Sequence, residues 1–247
     1  MSGRTRWPRI FVPAASVLIV LVVYACLVVT GVLWPNRLFA SGYTVRGVDV
    51  SSYQGEIDWR VLASEDLDFA YIKATEGSSY VDSRFEENWA GAAASGLKIG
   101  AYHFLSFESA GIDQLKHLVD TVPVDGDLPI AVDLEFYGRF FDEHPTTSAV
   151  RAILDPLLTG IKEHYGYDAV IYATPEAYDE YVRGAYDENP IWIRSVIGPA
   201  NLPDERDWTF WQYSNRDRLR GYRGDEPFVD MNVFAGTAAE LSGLTRR

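Results

Sequence analysis

Apolar and polar positions change rhythm along the chain. Residues 10–34 run without a single charge. From residue 45 onward, short apolar or alternating stretches recur at about 45–50, 69–74, 98–104, 128–135, 168–173, 190–196, 208–213 and 228–234, the length and period of strands. Helical spacing separates the first six. Phe85, Trp89 and Ala92 or Ala93 share a face behind a cap at Asp82 and ahead of Gly96. Val150, Ile153, Leu154, Leu157, Leu158 and Ile161 share another that stops near Gly166, and Thr174-Pro175-Glu176 reads as a cap followed by proline at the first helical position. Weaker helices fit 57–66 and 109–122. After the sixth strand the connections turn short and rich in Pro, Asp, Arg and Gly. Five βα units followed by three plain strands predict an α/β fold, a closed barrel with parallel strands first and an irregular last third.

The charge-free run 10–34 is long enough, at about 1.5 Å per residue, to span a ~30 Å hydrocarbon core. Arg4, Arg6 and Arg9 precede it and only Arg37 closely follows. This predicts an uncleaved signal anchor: a basic cytoplasmic tail over 1–9, one transmembrane helix over 10–34, a linker over 35–44 and a barrel over 45–240, lying outside a single-pass cell membrane. A cleaved signal peptide releasing a secreted protein is the rival. Its apolar region would be roughly 7–15 residues, and Leu38 stands where a small residue is wanted before a cut after Ala40. The single cysteine, Cys26, sits inside the apolar run, so the barrel can form no disulfide.

Charge follows the same division. The chain carries a formal net charge of −13, yet residues 1–40 contain four arginines and no acid. A surface that acidic beyond residue 40 repels nucleic acid and anionic head groups, so no nucleic-acid partner is expected.

The chemistry concentrates in "LPIAVDLEFYG", residues 128–138, where an apolar strand delivers Asp133 and Glu135 with only Leu134 between them. Side chains at i and i+2 point the same way, so both acids face the barrel mouth, about 6–7 Å apart at the backbone. Each discourages the other's ionisation, and a carboxyl kept protonated near neutrality is what a general acid requires. Glycoside hydrolysis is the reaction that most often uses such a pair. The other strand ends bring Asp49, Glu76, Tyr102, Tyr172, Trp192, Trp211, Gln212, Tyr213 and Asp230. Trp211 and Tyr213 share one parity, and which ring reaches sugar is open. His103 reads as a hydrogen-bonded core histidine, and His117, His144 and His164 share no ligand spacing, so no metal site is expected.

The pieces "RGVDVSSYQGEIDW", "FAYIKATEG", "GAYHF", "PIAVDLE", "VIYAT", "FWQYS" and "VDMNVF", in that order over residues 46 to about 236, resemble the glycoside hydrolase family 25 lysozymes, which are N-acetylmuramidases. The resemblance implies an irregular TIM-like (β/α)5(β)3 barrel that hydrolyses the β-1,4 bond between N-acetylmuramic acid and N-acetylglucosamine in peptidoglycan, as a monomer without cofactors. It implies Glu135 as general acid and later base, Asp133 as the carboxylate that assists the substrate's N-acetyl group or stabilises the cation, Asp49 and Asp230 as flanking acids, and Glu76, Tyr102, Tyr172 and Trp211 along the sugar groove. "PIWIRSV" departs from the commoner family form: Arg194 and Val196 stand where alanine and a tyrosine are usual. Two rivals from other classes are a non-catalytic peptidoglycan-binding module and a metal-dependent hydrolase using Asp49, Asp133, Glu135 and Asp230 on Mg²⁺ or Ca²⁺.

Overall fold

A computed structural model describes residues 11–245, with backbone only for 11–15. Its strands are β1 (Val45–Val50), β2 (Phe69–Glu76), β3 (Tyr80–Val81), β4 (Lys98–Phe104), β5 (Ala131–Leu134), β6 (Val170–Ala173), β7 (Ile191–Arg194), β8 (Phe210–Asp217) and β9 (Val229–Phe234). Eight of these close a barrel in the order β1-β9-β8-β7-β6-β5-β4-β2, sealed by the β1–β2 pairing, while β3 folds back antiparallel on the end of β2. Pairing is parallel around the barrel except at β9, which runs against both β1 and β8. Direct strand-to-strand connections follow β7 and β8. They make the irregular last third that the loss of helical spacing predicts.

The helices are α1 (Phe11–Val29), α2 (Asn36–Ala40), α3 (Trp59–Leu62), α4 (Phe85–Ser95), α5 (Gly111–Thr121), α6 (Thr147–Tyr165), α7 (Pro175–Ala177) and α8 (Ala238–Leu241). Thr146 and Thr174 cap α6 and α7, accepting from the amides of Ala149 and Ala177, and Gly166 ends α6 at φ 85°. Asp82 does not cap α4. Its carboxylate instead accepts from the amides of Ser52 and Arg84, both at 3.0 Å, tying the loop after β1 to the turn before the helix.

Strand parity divides the core in two. Outward residues such as Val48, Ile72, Val132, Ile171 and Met231 pack in the main hydrophobic layer outside the barrel. Inward residues include Phe69, Tyr71, Trp192, Phe210 and Phe234, whose rings fill the interior. Tyr71 and Trp192 lie 4.7 Å apart and Phe69 and Phe210 5.3 Å apart between centroids. This crowding requires small neighbours: a Cβ on Gly47 would come within 2.5 Å of the Phe69 ring, and one on Gly100 within 2.6 Å of Tyr71. The barrel is therefore plugged by aromatic rings beneath its mouth, and that floor is where the site begins.

At the N-terminus the structure departs from the expected span and linker. The tail over 1–9 lies outside the described residues. Among the described residues no helix is long and apolar enough to cross a membrane; α1 stops at Val29, and Gly31 takes φ 71° at the turn that follows. Residues 35–44, expected to link, fold onto the barrel instead. Trp34 donates its indole N–H to the Tyr213 carbonyl at 3.1 Å. Asn36, 1% exposed, donates to the carbonyls of Ser195, Gly198 and Tyr213 and accepts from the Gly198 amide at 2.7 Å. Arg37 pairs with Asp217 at 2.6 Å. Within the stretch expected to link, the Asn36 amide is a buried clamp on β8 and the loop after β7. Asn36→Ala strands several buried polar groups, at a cost of about 2–3 kcal/mol, and thermal unfolding should show a Tm roughly 5–10 °C lower; an unchanged Tm would mean the clamp is not formed.

Candidate active site

The acids reach the mouth by parity. Asp49 is on β1 and Asp230 on β9, and the two are register partners across the antiparallel pair. Asp230 stands at the start of its strand rather than the end, and arrives at the same mouth because β9 runs the other way. Asp133 is on β5, and Glu135 follows the strand on the same parity. Two confluent cavities share the lining residues Glu135, Tyr172 and Asp230: an inner one of about 210 Å³ that also touches Asp49, Lys73, Tyr102 and Asp133, and an outer one of about 930 Å³ bounded further by Phe136, Glu176, Arg194, Arg216 and Phe228.

Hydrogen bonds hold one side of this cluster rigid. The Gln212 amide donates to Asp49 at 3.0 Å and to Asp230 at 3.2 Å, and its carbonyl oxygen accepts from the Tyr172 hydroxyl at 3.0 Å. Asn232 donates to Asp49 at 2.7 Å and accepts from the Trp192 indole at 2.8 Å. Asp49 thus receives two amide donors and is fixed in place. On the other side, Asp133 is 9% exposed and its Oδ1 has no hydrogen-bond partner. That oxygen is buried without a partner, in a side chain that lines the inner cavity.

Burial is the first cause of every shifted carboxyl here. It pushes Asp133 well above the usual carboxylate range, and the neighbouring Glu135 charge adds to the rise. Asp230 is likewise raised well above that range by burial and then by Asp49. Glu135 and Asp49 are raised by burial too; the Arg194 charge pulls Glu135 back, and the amides of Asn232 and Gln212 do the same for Asp49. Burial therefore favours the neutral form of all four acids, most strongly for Asp133 and Asp230.

Of the residues expected along the sugar groove, Tyr102 and Tyr172 line it. Trp211 does not. Parity gives the inner face of β8 to Phe210 and Gln212, and Trp211 turns outward, 1% exposed, with its indole donating to the Ser195 carbonyl at 2.8 Å and its ring against Trp208 and Tyr43. Glu76 is also displaced: it lies at the rim, half-exposed, bonded to Lys73 at 2.8 Å, and it is Lys73 that lines the cavity. Lys73 is absent from the expected set although the parity that puts Tyr71 inside also selects it; Asn232 is reached by the same count from Asp230. His103 is a core residue, bonded to Thr75 and Gln114 and lowered by burial to about 4. Among the described residues no cluster of His, Cys, Asp or Glu is arranged to hold a metal ion.

A barrel with four buried carboxyls gathered at its mouth and an open cavity beside them is the arrangement of a glycoside hydrolase. Comparison with known proteins agrees. A family model for glycosyl hydrolases family 25 matches residues 48–222. Lysozyme M1 of Streptomyces globisporus is 34% identical over 81% of this chain and 71% of its own, and the N,O-diacetylmuramidase of Chalaropsis sp is 42% identical over 77% and 96%. The solved structure of a family 25 glycosyl hydrolase from Bacillus anthracis superposes with a TM-score of 0.79 at 45% identity, covering 83% of this chain and 94% of its own. The chain belongs to glycosyl hydrolases family 25.

The raised Asp133 carboxyl has a consequence for stability. A group whose folded-state pKa exceeds its unfolded value stabilises the fold while protonated and loses that contribution as pH rises from the unfolded value through the folded one. Asn mimics the protonated form, so Asp133→Asn should raise Tm at pH 7 by a few degrees, and the gain should shrink as pH falls below about 4. Thermal melts of both proteins from pH 3 to 8 check this; a variant that melts lower at pH 7 contradicts it.

Proposed function

We propose that Glu135 is the general acid with which this chain cuts the β-1,4 bond between N-acetylmuramic acid and N-acetylglucosamine in peptidoglycan, with Asp133 assisting the substrate's N-acetyl group. The observation that carries this reading is the two carboxyls on one strand parity sharing one cavity, the first buried with an unpartnered oxygen, the second at the junction with the groove.

In this mechanism Glu135 gives its proton to the glycosidic oxygen as the C1–O bond breaks. The acetamido oxygen of the muramic residue attacks C1 from the opposite face, and Asp133, ionised in the substrate-loaded site, accepts from the acetamido N–H and balances the charge that develops there. Glu135, now a carboxylate, draws a proton from water as that water opens the cyclic intermediate, so configuration at C1 is retained. Asp49, fixed by Gln212 and Asn232, keeps the pocket negative toward the cationic intermediate, and Asp230, bridged to it by Gln212, flanks it. Tyr102, Tyr172 and the aromatic floor support the sugar, while Glu76 acts at one remove through Lys73.

The same proposal extends to location. The charge-free run 10–34, with Val17 to Val23 all more than half exposed on α1, supports a hydrophobic tether that holds the barrel outside the membrane, where it reaches nearby wall as a monomer. Release after cleavage is the competing topology. Membrane fractionation with sequencing of the mature N-terminus separates them, and soluble protein beginning near residue 41 would overturn the tether.

Mass spectrometry of peptidoglycan digests tests the chemistry. The native protein should release muropeptides with new reducing ends on N-acetylmuramic acid, and Glu135→Gln should lower the rate by about 10²–10⁴-fold. Binding without cutting by the native protein would favour a binding module, and loss of activity in EDTA would favour the metal-dependent reading.

A further inference from the structure

Arg194 stands out among the polar groups of the groove. It ends β7 on the inward parity of Trp192, is partly buried, and lines the outer cavity beside Glu135 and Asp230. Among the described residues its guanidinium makes no hydrogen bond and no ion pair. Other arginines of the fold are committed: Arg37 to Asp217, Arg46 to Tyr213, Arg206 to the carbonyls of Tyr186 and Asn189, Arg220 to Glu65. Arg216, the second arginine of the same cavity, donates to the Val29 carbonyl and lies over the Phe228 ring. Arg194 alone in that cavity presents an uncommitted planar fork. It does so in a protein of net charge −13, where carboxylates to pair with are plentiful.

A half-buried guanidinium left without acceptors is costly unless something supplies them. The fork matches a carboxylate with two parallel N–H···O bonds. Sugar hydroxyls and N-acetyl groups are neutral; the carboxylates of peptidoglycan are carried on the lactyl arm of its muramic residue, either as the arm's own free acid or on the peptide attached to it. We infer that Arg194 is an anion anchor that binds a carboxylate carried by that arm and so places the muramic residue, rather than its neighbour, next to Glu135. The inference rests on the muramidase reading above. Arg194 is in this account a binding residue for the substrate's arm, and its field on Glu135 is a second effect of the same charge.

The test crosses a substrate change with a protein change. Three glycans are compared: peptide-bearing strands, strands stripped of peptide by an amidase, and stripped strands whose lactyl carboxylate has been converted to the neutral amide. Amidation should cost the native protein about tenfold in kcat/KM, carried by KM, and should cost Arg194→Gln less than about twofold. Arg194→Lys keeps the charge without the fork and should fall between them. If the peptide supplies the carboxylate, the native-to-Gln ratio is instead large on peptide-bearing strands and small on both stripped ones. Equal sensitivity of native and Gln proteins on all three glycans overturns the anchor while leaving the hydrolase intact. A native protein that cuts none of the three overturns the muramidase reading itself.

Discussion

Four carboxyls confined to one end of a plugged barrel repel one another, and the surrounding structure answers that repulsion. Asp49 is quenched by two amide donors, Gln212 and Asn232, whose other ends are tied to Tyr172 and Trp192. Gln212 reaches Asp230 as well, so one side chain holds two acids at a fixed separation. Asp133 receives no such help, and burial beside Glu135 raises its carboxyl instead. Unequal neutralisation of chemically similar groups is how one site obtains both a proton donor and fixed negative charge at one pH.

The aromatic floor contributes to the same end. Tyr71, Trp192 and Phe210 exclude water from below, which raises the cost of each ionisation above them. Their packing depends on missing side chains at Gly47 and Gly100, so two residues with no chemistry of their own help to set the protonation of the acids. Indole and amide then convert ring packing into carboxylate geometry: Trp192 orients Asn232, and Asn232 orients Asp49.

Much of this was legible from pattern alone. Period-two runs locate all eight barrel strands, and the loss of helical spacing after residue 196 locates the irregular third. The paired acids of β5 announce themselves because an apolar strand has no structural use for them. What pattern could not decide was phase. Trp211 and Gln212 are adjacent in "FWQYS", and only the register of β8 against β7 and β9 determines that the amide faces the mouth and the indole the outer layer. Nor does local sequence reveal partners far along the chain: Glu76 is drawn away from the cavity by Lys73, and Asn36 is buried by residues about 160 positions later. Charge-free length likewise counts residues without showing where a turn falls, and the turn after Val29 shortens α1.

The Asn36 clamp carries a mechanical meaning. Between Val29 and Arg37 the chain is attached to the barrel at four residues, through the Val29 carbonyl, Trp34, Asn36 and Arg37. Such a segment is a bracket rather than a leash: it ties the end of α1 directly to the groove wall that includes Arg216 and Phe228. Whatever fixes that helix therefore also aims the groove. Were α1 held, the angle at which a glycan strand meets the groove would be set with it, independently of the strand's chemistry.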